Sequence, residues 1–385
     1  MLRKITEKIY AVGVNDFKRK LFDALIPLPD GTSYNSYLMR GQKTAVIDAV
    51  DPPFAAEWLQ NIKEADCHPD YIIANHAEQD HSGALVDFIR AYPQAKIVTN
   101  AKCRELLLDL LHVPAEKFLL VEDKATLDLG GLTLQFHFAP WVHWPETMFT
   151  FVPEEKILFT TDFLGAHYAS DDLYPSDEAV IYCAAKRYYA EIMMPFRVNI
   201  RKHLELIKTL APKIIAPSHG QVYNHPEFIL SAYADWASEN TKDALLLYVS
   251  MHDSVRRMTE IIRGELEAKN ITVRALDLAA ADLGAVAMEL VDARAVLLGT
   301  PVVLTGAHPV AANAAFLFNA LRPKTKYLGL YGSYSWGGRA VEQLSAMLTA
   351  VKPEILPPLF FKGLPKPDEE KQLATWAQEL AAKLL

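Results

Sequence analysis

The sequence predicts two consecutive α/β domains, a layered sheet-and-helix unit over residues 1–242 and a doubly wound parallel sheet over residues 243–385. Three observations predict it. A chain of 385 residues is longer than one ordinary core accommodates. Strand and helix patterns alternate along it, irregularly at first and then with a regular period. The change of period follows a polar stretch, Trp236-Ala237-Ser238-Glu239-Asn240-Thr241-Lys242, which reads as the boundary.

The first half opens with short strand patterns at Ile9–Val14, Ser33–Met39 and Ala45–Ile47, with turn residues such as Pro29-Asp30-Gly31 between them. Tyr71–Ala74 is a short buried strand followed by a helix over Ala84–Tyr92, and Lys96–Thr99 a strand followed by a helix over Ala101–Leu111. Further strands are expected at Leu132–Phe138, Lys156–Thr161 and Ile214–Ala216, and helices at Ile181–Met194 and Arg201–Leu210. In the second half, strands at Ala244–Val249, Ile271–Leu276, Ala295–Leu298, Tyr327–Leu330 and Leu356–Phe361 each precede a helix. Those helices are Val255–Lys269, Leu283–Ala293, Val310–Leu321, Ala340–Val351 and Glu369–Leu384. Strict alternation of this kind argues a parallel sheet covered on both faces.

Composition narrows the function classes. Hydrophobic residues make up 51% and charged residues 22%, which suits a packed globular chain rather than a disordered one. A net charge of -8 gives no attraction to nucleic acid or to an anionic membrane, so neither is an expected partner. The three cysteines, Cys67, Cys103 and Cys183, form no CxxC pair, which argues against thiolate zinc sites and iron–sulfur clusters. Their low, odd number fits a reducing compartment. No signal-peptide core and no run of membrane-spanning length is present, so a cytoplasmic location is expected.

The densest chemistry lies in Asn75-His76-Ala77-Glu78-Gln79-Asp80-His81-Ser82-Gly83, directly after a buried strand. Imidazole and carboxylate crowded within six positions suit a borderline divalent metal such as zinc, iron or manganese. His76, Glu78 and Asp80 fall at spacing two, so an extended backbone would turn all three the same way. His143, Asp162 and His219 each follow an apolar strand pattern as well. Loops at one end of a layered sheet gather into one site, so the seven residues are expected to share a binuclear centre. Charge agrees: Glu78, Asp80 and Asp162 with a bridging hydroxide balance two divalent cations. Without metal, three carboxylates in one pocket would repel.

This cluster, His76-x-Glu78-x-Asp80-His81 followed by His143, Asp162 and His219, resembles the metallo-β-lactamase-like domain of the flavodiiron proteins. Hydrolases of that fold usually carry histidine where Glu78 sits and bind zinc. The segments His143-Trp144-Pro145-Glu146-Thr147-Met148 and Lys186-Arg187-Tyr188-Tyr189 share the resemblance, which extends over the whole chain. It implies an αββα metallo-β-lactamase-like domain followed by a flavodoxin-like domain. It implies one iron held by His76, Glu78 and His143, another by Asp80, His81 and His219, and Asp162 bridging them. In some members water displaces the counterpart of His81. His167 and Tyr168, shortly after Asp162, are candidate neighbours of the ligands, and Trp141 and Trp144 candidate pocket walls.

In the second domain, Ser250-Met251-His252-Asp253-Ser254-Val255 joins a strand to a helix, a place where backbone N–H groups can cradle a phosphate. No GxGxxG is present, so a dinucleotide is disfavoured. Thr300-Pro301-Val302-Val303 and Ser333-Tyr334-Ser335-Trp336-Gly337 add loops at the same sheet edge, with aromatics able to stack on a planar ring. The resemblance implies FMN here. Its phosphate loop usually reads Thr-x-Trp-Gly-Ser-Thr, and Ser250, His252, Asp253 and Val255 depart from it. Asp253 sets an acid near a dianionic phosphate.

By resemblance, reduced flavin and two ferrous ions together hold the four electrons that take dioxygen to water. The ferrous pair is also able to couple nitric oxide to nitrous oxide. A head-to-tail homodimer brings each flavin to the partner's metals. The chain shows no Cys-rich segment, so electrons are expected from an external donor, a rubredoxin or a reduced deazaflavin. The rival reading is a zinc-dependent hydrolase of the metallo-β-lactamase fold with a degenerate flavodoxin domain.

Overall fold

The computed structural model describes residues 2–241 and 243–385. Lys242, on which the predicted boundary falls, and Met1 lie outside the described residues. Two compact units result. The first runs to Tyr189 and resumes at Phe196–Ala237, and the second comprises Ala190–Pro195 and Ser238–Leu385.

The first unit is built on two sheets. Tyr37–Arg40 and Thr44–Ile47 form an antiparallel hairpin at the middle of a seven-stranded sheet. Tyr71–Ile73, Lys96–Thr99 and Phe118–Leu120 continue that sheet in parallel. One face takes the helices Ala55–Glu64, Leu85–Ala91 and Ala101–Leu111, whose Trp58, Ile62, Phe88 and Leu107 are fully buried. The other face packs on a five-stranded sheet through Met39, Ile47 and Ile73 against Phe136, Met148 and Phe159. The helices Arg197–Leu210 and Glu227–Ala237 cover the far side of that second sheet, where His203 and Tyr233 reach the stacked rings of Phe149 and Phe163. The order of layers is αββα.

Several expected strands are redrawn by tertiary pairing. Ser33–Met39 is interrupted at Asn35 and Ser36, because the Asn35 amide donates to the carbonyls of Pro217 and Gly220 and Ser36 Oγ to that of Asp48. Ile9–Val14 likewise divides into Ile9–Ala11 in the main sheet and Val14–Asp16 in a small ribbon with Thr32–Tyr34. Met148–Val152, absent from the sequence reading, lies at the centre of the second sheet with every residue buried. A strand buried on both faces shows no alternation to detect. The helix expected over Ile181–Met194 instead occupies Glu178–Tyr188 and widens into a π turn at Tyr189–Met193.

The second unit is a parallel sheet in the order Val273–Asp277, Asp243–Tyr248, Ala293–Val303, Tyr327–Tyr334, with Glu354–Ile355 and Leu359–Lys362 along its last edge. In sequence numbering this is 2-1-3-4-5, the flavodoxin-like order, whose direction reverses between the first and third strands. The third and fourth strands are longer than their apolar cores suggest. Gly299–Pro301 pairs with Tyr331–Ser333, so part of what reads as loop is ladder. Gly332 is required there: a Cβ would run into the Thr300 carbonyl and lie 2.6 Å from the Phe360 ring. Ser254–Glu267 and Pro367–Leu384 cover one face, burying Met258, Ile262, Trp376 and Leu380. Among the described residues no helix is long and apolar enough to cross a membrane.

Candidate metal centre and cofactor cleft

The seven predicted ligands converge from the ends of strands in both sheets, not from one sheet edge. His76 and Glu78 follow Tyr71–Ile73 in the first sheet. His143, Asp162 and His219 follow Thr133–Phe138, Ile157–Thr161 and Ile214–Pro217 in the second. Local structure aims them. Thr161 takes a positive φ of 48° where the strand register shifts, which turns Asp162 out of the ladder. Asp48, buried between the loops, accepts the Asn75 N–H at 2.8 Å and the Ser218 hydroxyl at 3.4 Å, so one carboxylate holds the backbone before His76 and the side chain before His219. Burial pushes that carboxyl up to about 6.

The ligands form two groups rather than one run. His76, Glu78, His143 and Asp162 offer atoms within 4.8 Å of one another, and so do Asp80, His81 and His219. The extended run expected from the spacing of two breaks at Glu78, the N-cap of the short helix Gln79–Ser82. Asp80 and His81 therefore turn away to the second group. Asp162 faces both. Its Oδ2 lies 3.2 Å from His76 Nε2 and 3.2 Å from His143 Nε2, while its Oδ1 lies 2.8 Å from His81 Nε2 and 3.4 Å from His219 Nε2. Glu78 Oε2 completes the first group at 3.1 Å from His76 and 3.2 Å from His143. Asp80 completes the second at 3.3 Å from both His81 and His219.

These atoms suit cations better than they suit each other. Asp80 Oδ1, Asp162 Oδ1 and His81 Nε2 are buried without a hydrogen bond, although the last two are 2.8 Å apart. Short distance without alignment is what lone pairs aimed at a common centre produce. The ring tautomers agree. His219 Nδ1 lies 2.6 Å from the Ser33 carbonyl, which only accepts, so Nδ1 carries the proton and Nε2 keeps its lone pair. His76 Nδ1 does the same to Glu146 Oε1 at 2.8 Å, an oxygen also held by the Ala77 N–H. The residues present fit a pair of divalent metal ions.

Without metal, protons carry the positive charge. Burial opposes charge on these imidazoles, but the carboxylates outweigh it: His76 is raised well above its usual range, and His81 and His143 to about 9. Glu78 and Asp162 are held low despite their burial, by the same histidines. A binding metal must displace those protons, so apparent affinity is expected to climb with pH through about 9, where His81 and His143 lose theirs, and to level off only once His76 has lost its proton as well. Competition against a chelator over that range measures it, and a flat profile below the plateau would contradict the assignment.

Neighbours outside the ligand set sort differently from the expectation. His167 packs 4.8 Å from the His219 ring, with Nδ1 at 3.0 Å from Thr32 Oγ1, and burial holds it well below its usual range. Tyr168 points to a small cleft beside Asn15 and Tyr37. The tyrosines against the site are Tyr188 and Tyr34, with ring centroids 5.9 Å and 6.0 Å from that of His219. Trp144 stands edge-on to His76 at 5.1 Å, whereas Trp141 stacks on Phe196 and is half exposed. Glu146 lies in a segment that shares the family resemblance, but nothing in the spacing of Glu146, Ser33 or Asp48 says which ring or loop each of them meets.

In the second unit, Met251, His252 and Ser254 meet Pro301, Val302, Ser333, Tyr334 and Ser335 at the reversal of strand order, while Ser250 and Asp253 lie outside the cleft lining. Residues from both stretches line a cleft of about 170 Å³. Val302, Tyr334 and Gly337 line another of about 460 Å³ beside it. Trp336 is 85% exposed at the rim, free to lie over a ring. Three predicted residues are committed elsewhere: Val255 is core, Val303 pairs with Gly306 in a hairpin, and Thr300 Oγ1 accepts from His308 N–H and donates to the Pro301 carbonyl. The lining of these two clefts has room for a planar cofactor.

An αββα sandwich with a carboxylate shared between two candidate ligand groups is a metallo-β-lactamase-like domain, and the parallel sheet that follows it is a flavodoxin-like domain. Residues 32–220 match the family model described as ODP family beta lactamase. The chain is 33% identical over 391 residues to a nitric oxide reductase of Moorella thermoacetica, covering 99% of this chain and 98% of that one. It superposes on rubredoxin oxygen:oxidoreductase from Desulfovibrio gigas with a TM-score of 0.94 and 27% identity, covering 100% and 98%. With the flavodiiron protein of Giardia intestinalis the TM-score is 0.92 and the identity 28%, covering 100% and 97%. The chain belongs to the flavodiiron protein family.

Proposed function

We propose that this chain is an oxidoreductase that reduces dioxygen to water, nitric oxide to nitrous oxide, or both, taking electrons from an external donor such as a rubredoxin or a reduced deazaflavin. The observation that carries the reading is Asp162, one oxygen turned to His76 and His143 and the other to His81 and His219. The names of the similar chains, a nitric oxide reductase and a rubredoxin oxygen:oxidoreductase, support the choice of gases. When bound, two iron ions and FMN supply the electrons and the open coordination positions.

The side chains hold and seal this site. His76, Glu78 and His143 would hold one ion and Asp80, His81 and His219 the other, with Asp162 offering one oxygen to each group. Glu146 and the Ser33 carbonyl fix two rings in the tautomer that leaves Nε2 free. His76, His81 and Asp162 are closed to water, while Glu78, Asp80 and His143 keep 16%, 13% and 14% of their side-chain surface. That side of the centre is where a small gas enters. Three carboxylates, Glu78 among them, balance two divalent charges with one hydroxide, so the centre stays near neutral in its buried setting.

Anaerobic reduction of the purified protein, then rapid mixing with each gas, tests the reading, with iron and flavin assayed on the same sample. The reduced, iron-loaded protein is expected to consume at least one gas. Failure with both, together with ester turnover by a zinc-loaded sample, would favour the hydrolase reading. A head-to-tail homodimer joins each cofactor cleft to the partner's metal centre in this proposal. Mixing a metal-ligand variant with a cofactor-cleft variant is expected to restore part of the activity.

A further inference from the structure

A terminal phosphate at the start of the helix Ser254–Glu267 needs free N–H groups in its first turn. The loop uses two of them itself. Ser254 N–H donates to the His252 carbonyl at 2.9 Å, and Arg256 N–H to Ser250 Oγ at 3.2 Å. Ser254 Oγ is paired with Ser333 Oγ at 2.8 Å. The N-cap is Asp253, held at a φ of 60° with its carboxylate making no capping bond and 78% exposed.

Charge points the same way. Arg256 is the nearby cation, with one guanidinium nitrogen 3.7 Å from Asp253 and another 3.6 Å from Asp277. One positive charge between two negative ones leaves the neighbourhood net negative before any ligand arrives. A phosphate monoester would add roughly one and a half to two more negative charges. Away from the loop the lining changes: the cleft that Met251, His252 and Ser254 share with Pro301, Val302 and Tyr334 adjoins a second one walled by Val302, Tyr334, Val341 and Phe360, and neither cleft is lined by Asp253.

We infer that the second domain holds a flavin by its ring and ribityl chain and gains little from the terminal phosphate, so that it takes the unphosphorylated flavin nearly as well as FMN, with Asp253 setting that indifference. The inference rests on the reading that a flavin binds here at all. It gives the loop's acidic N-cap a consequence: flavin selectivity in this chain is a property of the ring contacts.

The full-length protein, stripped of flavin, is titrated with FMN and with riboflavin by quenching of flavin fluorescence. Wild type is expected to show dissociation constants within about tenfold of each other. Asp253→Asn removes the charge and tolerates the left-handed backbone, and should tighten FMN by roughly three- to tenfold while leaving riboflavin unchanged. Asp253→Gly, which also relieves the backbone, should do the same. Added salt should not weaken FMN binding to wild type, because the field it screens is repulsive. A preference for FMN above about a hundredfold in wild type, or equal shifts of both flavins in Asp253→Asn, would overturn the proposal. Binding of neither flavin would overturn the underlying flavin reading as well, a separate and recognisable result.

Discussion

Replacing Asp162 by alanine is expected to release both metal ions together and to lower gas reduction by more than about a hundredfold. The magnitude follows from comparison: residues that merely orient ligands already alter affinity or activity by about 10- to 100-fold, and Asp162 touches both groups directly. His219→Ala makes the control, because it removes one member of the second group and leaves His76, Glu78, His143 and Asp162 together. That variant should keep one ion per chain. Asp162→Asn holds the volume while removing the charge, so it separates electrostatic balance from packing in a site that is buried. Metal content by elemental analysis, beside gas consumption on the same samples, gives the result. If Asp162→Ala kept both ions, the shared-carboxylate reading would be lost.

Spacing alone does not tell the two groups apart, and only the family resemblance divides them before the structure is seen. His76, Glu78 and Asp80 look equivalent at spacing two, and only the helical turn at Gln79–Ser82 divides them. Whether a short polar segment stays extended or turns depends on what it packs against, and here the neighbours come from a second sheet far along the chain. Convergence itself was legible, since each ligand follows an apolar strand and strand ends are where such folds collect side chains. Met148–Val152 was not legible, because a strand buried on both faces between polar loops carries no period. The parallel sheet of the second unit was clearer still, as each of its strands is paired with a helix. Its errors lie at the ends of Ala293–Val303 and Tyr327–Tyr334, where ladder bonds carry the strands past Gly299 and Tyr331 into segments that look like loops.

Glu146→Ala is expected to weaken metal binding in the first group by about 10- to 100-fold and to leave the second group nearly intact. The carboxylate is buried and accepts from His76 Nδ1 and from the Ala77 backbone with the same oxygen. Burial would raise its protonation point, yet the His76 contact holds it below the ordinary carboxylate range, so it remains an acceptor. Without it, the buried His76 ring loses the partner that fixes its proton on Nδ1, and the tautomer with Nε2 protonated, which cannot ligate, becomes accessible. Glu146→Gln keeps an oxygen acceptor at nearly the same volume and should recover most of the affinity. A purely structural role predicts otherwise: both variants would alter thermal stability, and neither would lower occupancy of one ion while sparing the other. Stepwise metal titration of wild type and the two variants distinguishes these outcomes, and equal loss of both ions in Glu146→Ala would count against a role through His76.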